Sequence, residues 1–120
     1  MDSSKIISLE QLERFVSPGD RLWVGGWTVV RKPMAMVYQL IKSRITGLHI
    51  VNNPGGPDTD ILIGGGCVAR TETNYIGHEV FGHPYNFRDK MEQQAVFDFL
   101  HDDWTVGSGT MRIMAGALGI

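Results

Sequence analysis

Cysteine is almost missing: Cys67 is the only one among 120 residues. An internal disulfide framework is excluded, and a reducing, cytoplasmic setting is the expectation. Basic runs are missing as well. Eleven Lys and Arg stand against 13 Asp and Glu, a net charge of −2. Nothing here neutralises a phosphate backbone, which argues against nucleic-acid binding. No apolar run approaches the ~20 residues needed to span a bilayer, so no membrane partner is expected. The opening Met-Asp-Ser-Ser-Lys lacks the charged-then-apolar layout of a signal peptide. There is no internal repeat, low-complexity segment or linker. What remains is globular material, 42% hydrophobic and 20% charged, of single-domain size.

Glycine is plentiful. The 15 glycines cluster at 25–26, 55–56 and 64–66. The last ten residues, Met111 to Ile120, are apolar and stop abruptly. Natural termini usually fray into polar residues. The expectation is therefore one α/β domain over residues 1–120 that forms the first part of a longer chain.

Local signals divide the chain. Ser8 to Val16 reads as a helix, with Ser8 as N-cap, Gln11 completing a capping box, and Leu9, Leu12, Phe15 and Val16 as one apolar stripe. Ser17 to Asp20 is a turn, and Arg21 to Gly26 a short buried strand. A second helix runs from Pro33 to about Arg44, with proline in its first turn and Gly47 beyond its end. Leu48 to Val51 is a strand. Asn52 to Asp58 is too rich in glycine and proline for regular structure. Asp60 to Ile63 reads as a short apolar strand ending in glycines, and Cys67 to Tyr75 as a weakly alternating one. A loop spans Gly77 to Pro84, a short helix Asn86 to Gln94, a strand Ala95 to Leu100, and a small-residue helix about Gly107 to Leu118. Helices alternating with apolar strands imply a parallel sheet with helices packed on it. Such a sheet needs cover on both faces, and the helices are few for that.

Several constellations invite chemistry and fall short. His78 and His83 are five apart, and a zinc-protease helix needs four. His49 and His101 have no metal-ligand spacing either, so no metal is expected. Gly64 to Gly66 lacks the Lys-Ser/Thr of a P-loop, and a tight turn is the simpler reading. Cys67 has no histidine close in sequence and reads as a small buried hydrophobe. Asp102 and Asp103 form an acidic pair able to do acid–base work, although a solvated turn or helix cap is the commoner use.

The most specific stretch is Gly19 to Pro33. A buried strand ends in Gly25, Gly26 and Trp27, and a helix starts at Pro33. The glycines allow a sharp turn and close backbone approach to a ligand, and helix N-terminal amides favour an anion. This stretch resembles the glycine-rich signature of family I CoA-transferases, in their A-type (alpha) half. The spacing of Gly25, Gly26 and Pro33 is kept, with Trp27 in place of phenylalanine and Arg31 in place of glycine. Arg31-Lys-Pro33, Asp60 to Gly64 with Gly66 and Val68, and Ala117 to Ile120 are similar to the glutaconate CoA-transferase branch. Gly55 to Asp58 resembles A-type subunits of hydrolases that open CoA-linked rings in steroid breakdown.

The resemblance implies a parallel-sheet, three-layer CoA-transferase-like (NagB/RpiA-like) fold, incomplete at the C-terminus. It implies an alpha subunit that helps move CoA from an acyl-CoA to a carboxylic acid. The nucleophilic glutamate of these enzymes lies in a Ser-Glu-Asn-Gly motif of the B-type (beta) subunit, and that motif does not occur here. This chain is then inactive alone, part of a hetero-oligomer, with no permanently bound cofactor and a coenzyme A thioester as substrate. Gly25, Gly26, Trp27 and Arg31 would contact substrate, Arg31 through a carboxylate. In the ring hydrolases an acidic residue near Asp102 and Asp103 is implicated, with aspartate here in place of glutamate. A non-catalytic assembly fragment is the third expectation, motivated by the apolar C-terminus.

Overall fold

The computed structural model describes residues 6–93 and 99–120. Four strands, β1 (Arg21–Trp23), β2 (Leu48–Val51), β3 (Val68–Thr73) and β4 (Leu100–Asp103), form one sheet in the order β1-β2-β3-β4. Every pair is parallel. The crossovers carry α1 (Met34–Lys42), α2 (Pro57–Gly64) and α3 (Tyr85–Glu92), and α4 (Val106–Leu118) follows β4. Right-handed crossovers that advance one strand at a time place their helices on one face. The core lies on that face: Leu48, Ile50 and Leu62 are fully buried with Val37, Leu40 and Cys67 around them. Each fully buried aliphatic side chain contributes about 1.5–3 kcal/mol.

Residues 9–14 make a 3-10 helix, shorter than the stretch expected from Ser8 to Val16. The expected capping box is present, with the Gln11 side chain accepting the Ser8 N–H at 3.0 Å. α1 begins one residue after Pro33, as its sequence requires. α4 starts from Thr105, whose hydroxyl accepts the Ser108 N–H at 3.0 Å, and stops at Gly119 with φ 72°.

Two expectations are corrected, and a third lies mostly outside the described residues. Asp60 to Ile63 is helical, within α2, and the helix already includes Pro57 and Asp58. Leu62 and Ile63 are buried, as are Asp58, Thr59 and Asp60 at the helix start. A four-residue apolar run buried in this way has no periodicity to separate helix from strand. The decisive features are Pro57 at the first helical position and aspartates in the first turn. The strand expected over Ala95 to Leu100 falls largely on residues 95–98, outside those described, and β4 is Leu100–Asp103. Asp102 and Asp103 are therefore strand residues, neither turn nor cap. Consecutive strand residues point to opposite faces, so they do not act as a carboxylate pair.

β3 carries an irregularity. Leu48 pairs with Val68 but His49 with Arg70, leaving Ala69 as an extra residue. Such a bulge re-aims the side chains beyond it. Val68 packs on the core, while Arg70 and Glu72 share the opposite face with His49. No helix among the described residues is long and apolar enough to cross a membrane.

Candidate functional site

In open parallel sheets ligands bind outside the carboxyl ends of the strands. Three connections meet there: the loop after β1, the β2–α2 turn and the segment after β3. The first holds Gly25, Gly26, Trp27 and Arg31 together in one tight loop. Trp27 and Val30 exchange backbone hydrogen bonds of 2.9 and 2.6 Å. Gly26 has φ 95°, and a Cβ there would stand 2.7 Å from the Arg31 carbonyl oxygen and 2.9 Å from that of Val30. Glycine at 26 is required on both counts. Gly25 is different: a Cβ there would meet nothing within 4 Å. Its openness leaves backbone exposed at the carboxyl end of β1. Trp27 is 53% exposed, and Arg31 is exposed with φ 57° where the resembled signature carries glycine.

The loop is held from two sides. Thr28 is buried, and its hydroxyl donates to the Glu79 carboxylate beyond β3. Lys32 Nζ donates to the Pro54 carbonyl at 2.9 Å and lies 3.3 Å from Asp58 Oδ2. The Lys32 and Asp58 side chains are 2% and 0% exposed. Asp58 Oδ1 accepts the Gly56 N–H at 2.9 Å, and Asn52 Nδ2 donates to Asp58 Oδ2 at 3.4 Å and to the Thr59 hydroxyl. Motif reading picks out Arg31-Lys-Pro and Gly-Gly-Pro-Asp as separate signatures. That their charges meet is not legible there, because Lys32 and Asp58 stand far apart along the chain.

Asp102 and Asp103 lie elsewhere. β4 is the far edge from β1, three strand spacings or about 14 Å away. Arg70 Nε donates to Asp102 Oδ2 at 2.8 Å, and this hydrogen bond holds the Asp102 carboxyl below its ordinary range. Asp103 sits at the carboxyl end of β4, exposed. His101 hydrogen-bonds Thr71 through Nδ1 at 2.8 Å, on the face where Phe87 of α3 packs against it.

A second charged group escapes sequence reading altogether. Glu72 is 3% exposed on the face away from α1 to α3. Arg21 and Arg112 reach Glu72 Oε2 at 2.9 and 3.2 Å, and His49 Nε2 lies 2.7 Å from Oε1. Arg112 of α4 also stacks on Trp104, 4.5 Å from the ring centre. A cavity of about 600 Å³ lies beside them, lined by Arg21, Trp23, Val51, Trp104 and Arg112 among others. Only the parallel register brings these residues into one row.

The remaining candidates are structural. Gly64 to Gly66 closes α2 and turns into β3, so it lies at the amino end of the strands, away from the ligand edge. Cys67 is buried, which pushes its thiol up. His78 lies 3.7 Å from Asp60, and among the described residues no three His, Cys, Asp or Glu side chains gather to hold a metal ion.

The comparisons with known proteins converge. The family model described as coenzyme A transferase matches residues 7–120. The A-type subunit of glutaconate CoA-transferase from Acidaminococcus fermentans is 38% identical over 66 residues, 54% of this chain and 21% of that protein. The cholesterol ring-cleaving hydrolase IpdA subunit of Rhodococcus jostii is 36% identical over 72 residues, 60% of this chain and 24% of that one. The crystal structure of the Acidaminococcus fermentans glutaconate CoA-transferase superposes with a TM-score of 0.87 at 30% identity, over 98% of this chain and 37% of that one. A variant of the decarboxylase AibA/AibB superposes at 0.85 with 26% identity, over 95% and 44%. The chain spans about a quarter of the length of the curated relatives it matches. Its all-parallel sheet, its glycine loop and its sequence agree, and the chain belongs to the coenzyme A transferase family, where it is similar to the A-type subunit of glutaconate CoA-transferase.

Proposed function

We propose that residues 1–120 are the first part of an A-type CoA-transferase subunit, one that works with a B-type subunit carrying the nucleophilic glutamate. The observation that supports this reading best is the loop from Gly25 to Arg31. It presents open backbone at Gly25 and an exposed cation at Arg31 at the carboxyl end of the parallel strands. Gly25 and Gly26 would meet the thioester carbonyl, Trp27 would cover the acyl group, and Arg31 would pair with the acid's carboxylate. The partner's glutamate attacks the acyl-CoA, giving an acyl-glutamyl anhydride and CoA thiolate. The thiolate then attacks the glutamyl carbonyl of the anhydride, forming a glutamyl-CoA thioester and releasing the donor acid. The acceptor carboxylate runs the two steps in reverse, so that it leaves as its acyl-CoA and the glutamate is freed. Loop amides would stabilise the oxyanion, and the remote CoA moiety would supply binding energy for the reacting centre. Without the partner the chain has no nucleophile and no turnover.

The test follows CoA by mass spectrometry in the natural full-length polypeptide co-expressed with its B-type partner. CoA carried onto an acid only when that acid is present supports the proposal. Free CoA, or an unchanged thioester with every acid tried, sinks it.

A second reading, opening of a CoA-linked ring, has the relative at 36% identity and the exposed Asp103 in its favour. It predicts a hydrated, ring-opened product that keeps its CoA without any acceptor, and loss of that product in Asp103→Asn. Asp102 is the weaker candidate, since Arg70 already holds it.

A further inference from the structure

The ion pair between Lys32 and Asp58 is expensive where it lies. Taking two charges out of water costs several kcal/mol each, and a well-packed apolar pair commonly serves stability as well or better. What this pair supplies is position. The stem of Lys32 runs beneath the glycine loop: its Cδ lies 2.9 Å from where a Cβ on Gly26 would stand. Its ammonium then reaches across to the β2–α2 turn, with Pro54 O at 2.9 Å and Asp58 Oδ2 at 3.3 Å. Asp58 is itself fixed, because its other oxygen takes the Gly56 N–H at 2.9 Å. Arg31 immediately precedes the anchor, is held at φ 57°, and places its carbonyl over Gly26.

We infer that the buried pair Lys32–Asp58 is a positioning device for CoA transfer, clamping Gly25, Gly26 and Arg31 at a fixed height above the carboxyl end of β1. Neither residue touches substrate. The inference rests on the proposed role of the glycine loop, and it adds residues that this role had not included. A displacement of about 1 Å in such a loop is enough to cost a large factor in rate, because donors aimed at the transition state lose their alignment.

The experiment uses Lys32→Met and the double variant Lys32→Met/Asp58→Asn in the full-length polypeptide with its B-type partner. Methionine retains most of the stem under Gly26, and the double variant leaves no unpaired buried charge. The expected result is an assembled enzyme whose kcat falls by about tenfold or more while KM for acyl-CoA stays within about threefold. Amide exchange of the 24–31 backbone, read by mass spectrometry, should quicken by about tenfold in the same variant. An assembled double variant with native kcat and native exchange overturns the inference. So does one that cannot assemble, since the pair would then serve the fold as a whole. If the unaltered enzyme transfers no CoA, the proposed function fails, yet exchange in the loop still decides whether the pair clamps it.

Discussion

The carbonyl oxygen of Thr28 occupies the space of a side chain on Gly56, only 1.9 Å from where its Cβ would be. The loop after β1 therefore rests directly on the β2–α2 turn, backbone against backbone. Gly56 has φ −153°, so the glycine is required for space and not for conformation.

Gly56→Ala should destabilise by about 3 kcal/mol, the upper part of the range for overpacking, because backbone cannot rotate away as a side chain can. The denaturant midpoint measures it. A loss below about 0.5 kcal/mol would mean the two turns are not in contact.

Gly25→Ala separates stability from function. The added methyl meets open space and the backbone is not in the left-handed region, so stability should change by less than about 0.5 kcal/mol. If the loop amides face the thioester, kcat/KM should nonetheless drop by about tenfold or more. Unchanged kinetics in a normally stable variant would remove Gly25 from the site.

Arg31 holds a left-handed conformation that costs a residue with a Cβ about 1 kcal/mol. Arg31→Gly should release that strain and raise stability by a similar amount. The same change should raise KM for a dicarboxylate acceptor by about tenfold, through loss of the guanidinium. A more stable variant with unchanged KM would leave Arg31 a surface charge.

Glu72→Gln should cost about 2 kcal/mol. The buried carboxylate accepts a charge-assisted bond from Arg21 and forms an ion pair with Arg112, and the amide answers their cations weakly. The value lies below that for a fully buried pair because both arginine side chains are more than half exposed. A loss as large in Arg112→Met/Glu72→Gln as in the sum of the single changes would show that the two residues are not coupled.

Acid should weaken the fold through two histidines, His49 and His101. Burial, which disfavours the cation, is the first cause holding His49 and His101 below the ordinary histidine value; nearby Glu72, and Asp103 with Asp102, oppose it. The unfolded chain takes up protons near pH 6.5, the folded chain only lower, so unfolding binds protons in between. The stability contribution is complete above about pH 6.5 and is lost as pH falls through the folded values. Denaturation midpoints at about pH 7.5 and about pH 5.5 should differ in that direction, and His101→Gln should reduce the difference. A midpoint that rises on acidification contradicts the assignment.

Local chemistry is legible in the chain alone. Pro33 marks a helix start by a rule that acts over a few residues, and α1, β2 and α4 stand close to where the local signals put them. The glycine loop is also visible, because an apolar strand, two glycines and a proline are consecutive. The α2 segment misleads for the opposite reason: inside a short run that is mostly buried, no alternation distinguishes the two structures.

The order of residues along the chain was enough for the parallel α/β class, the loop from Gly25 to Pro33 and the resemblance to the CoA-transferase family. It took the folded arrangement to bring Lys32 to Asp58, to gather arginines from β1 and α4 on Glu72, and to turn Asp102 and Asp103 to opposite faces. The physical reason is range. Caps and turns are settled by neighbours along the chain, whereas charge partners are settled by strand order, by register and by the single extra residue at Ala69.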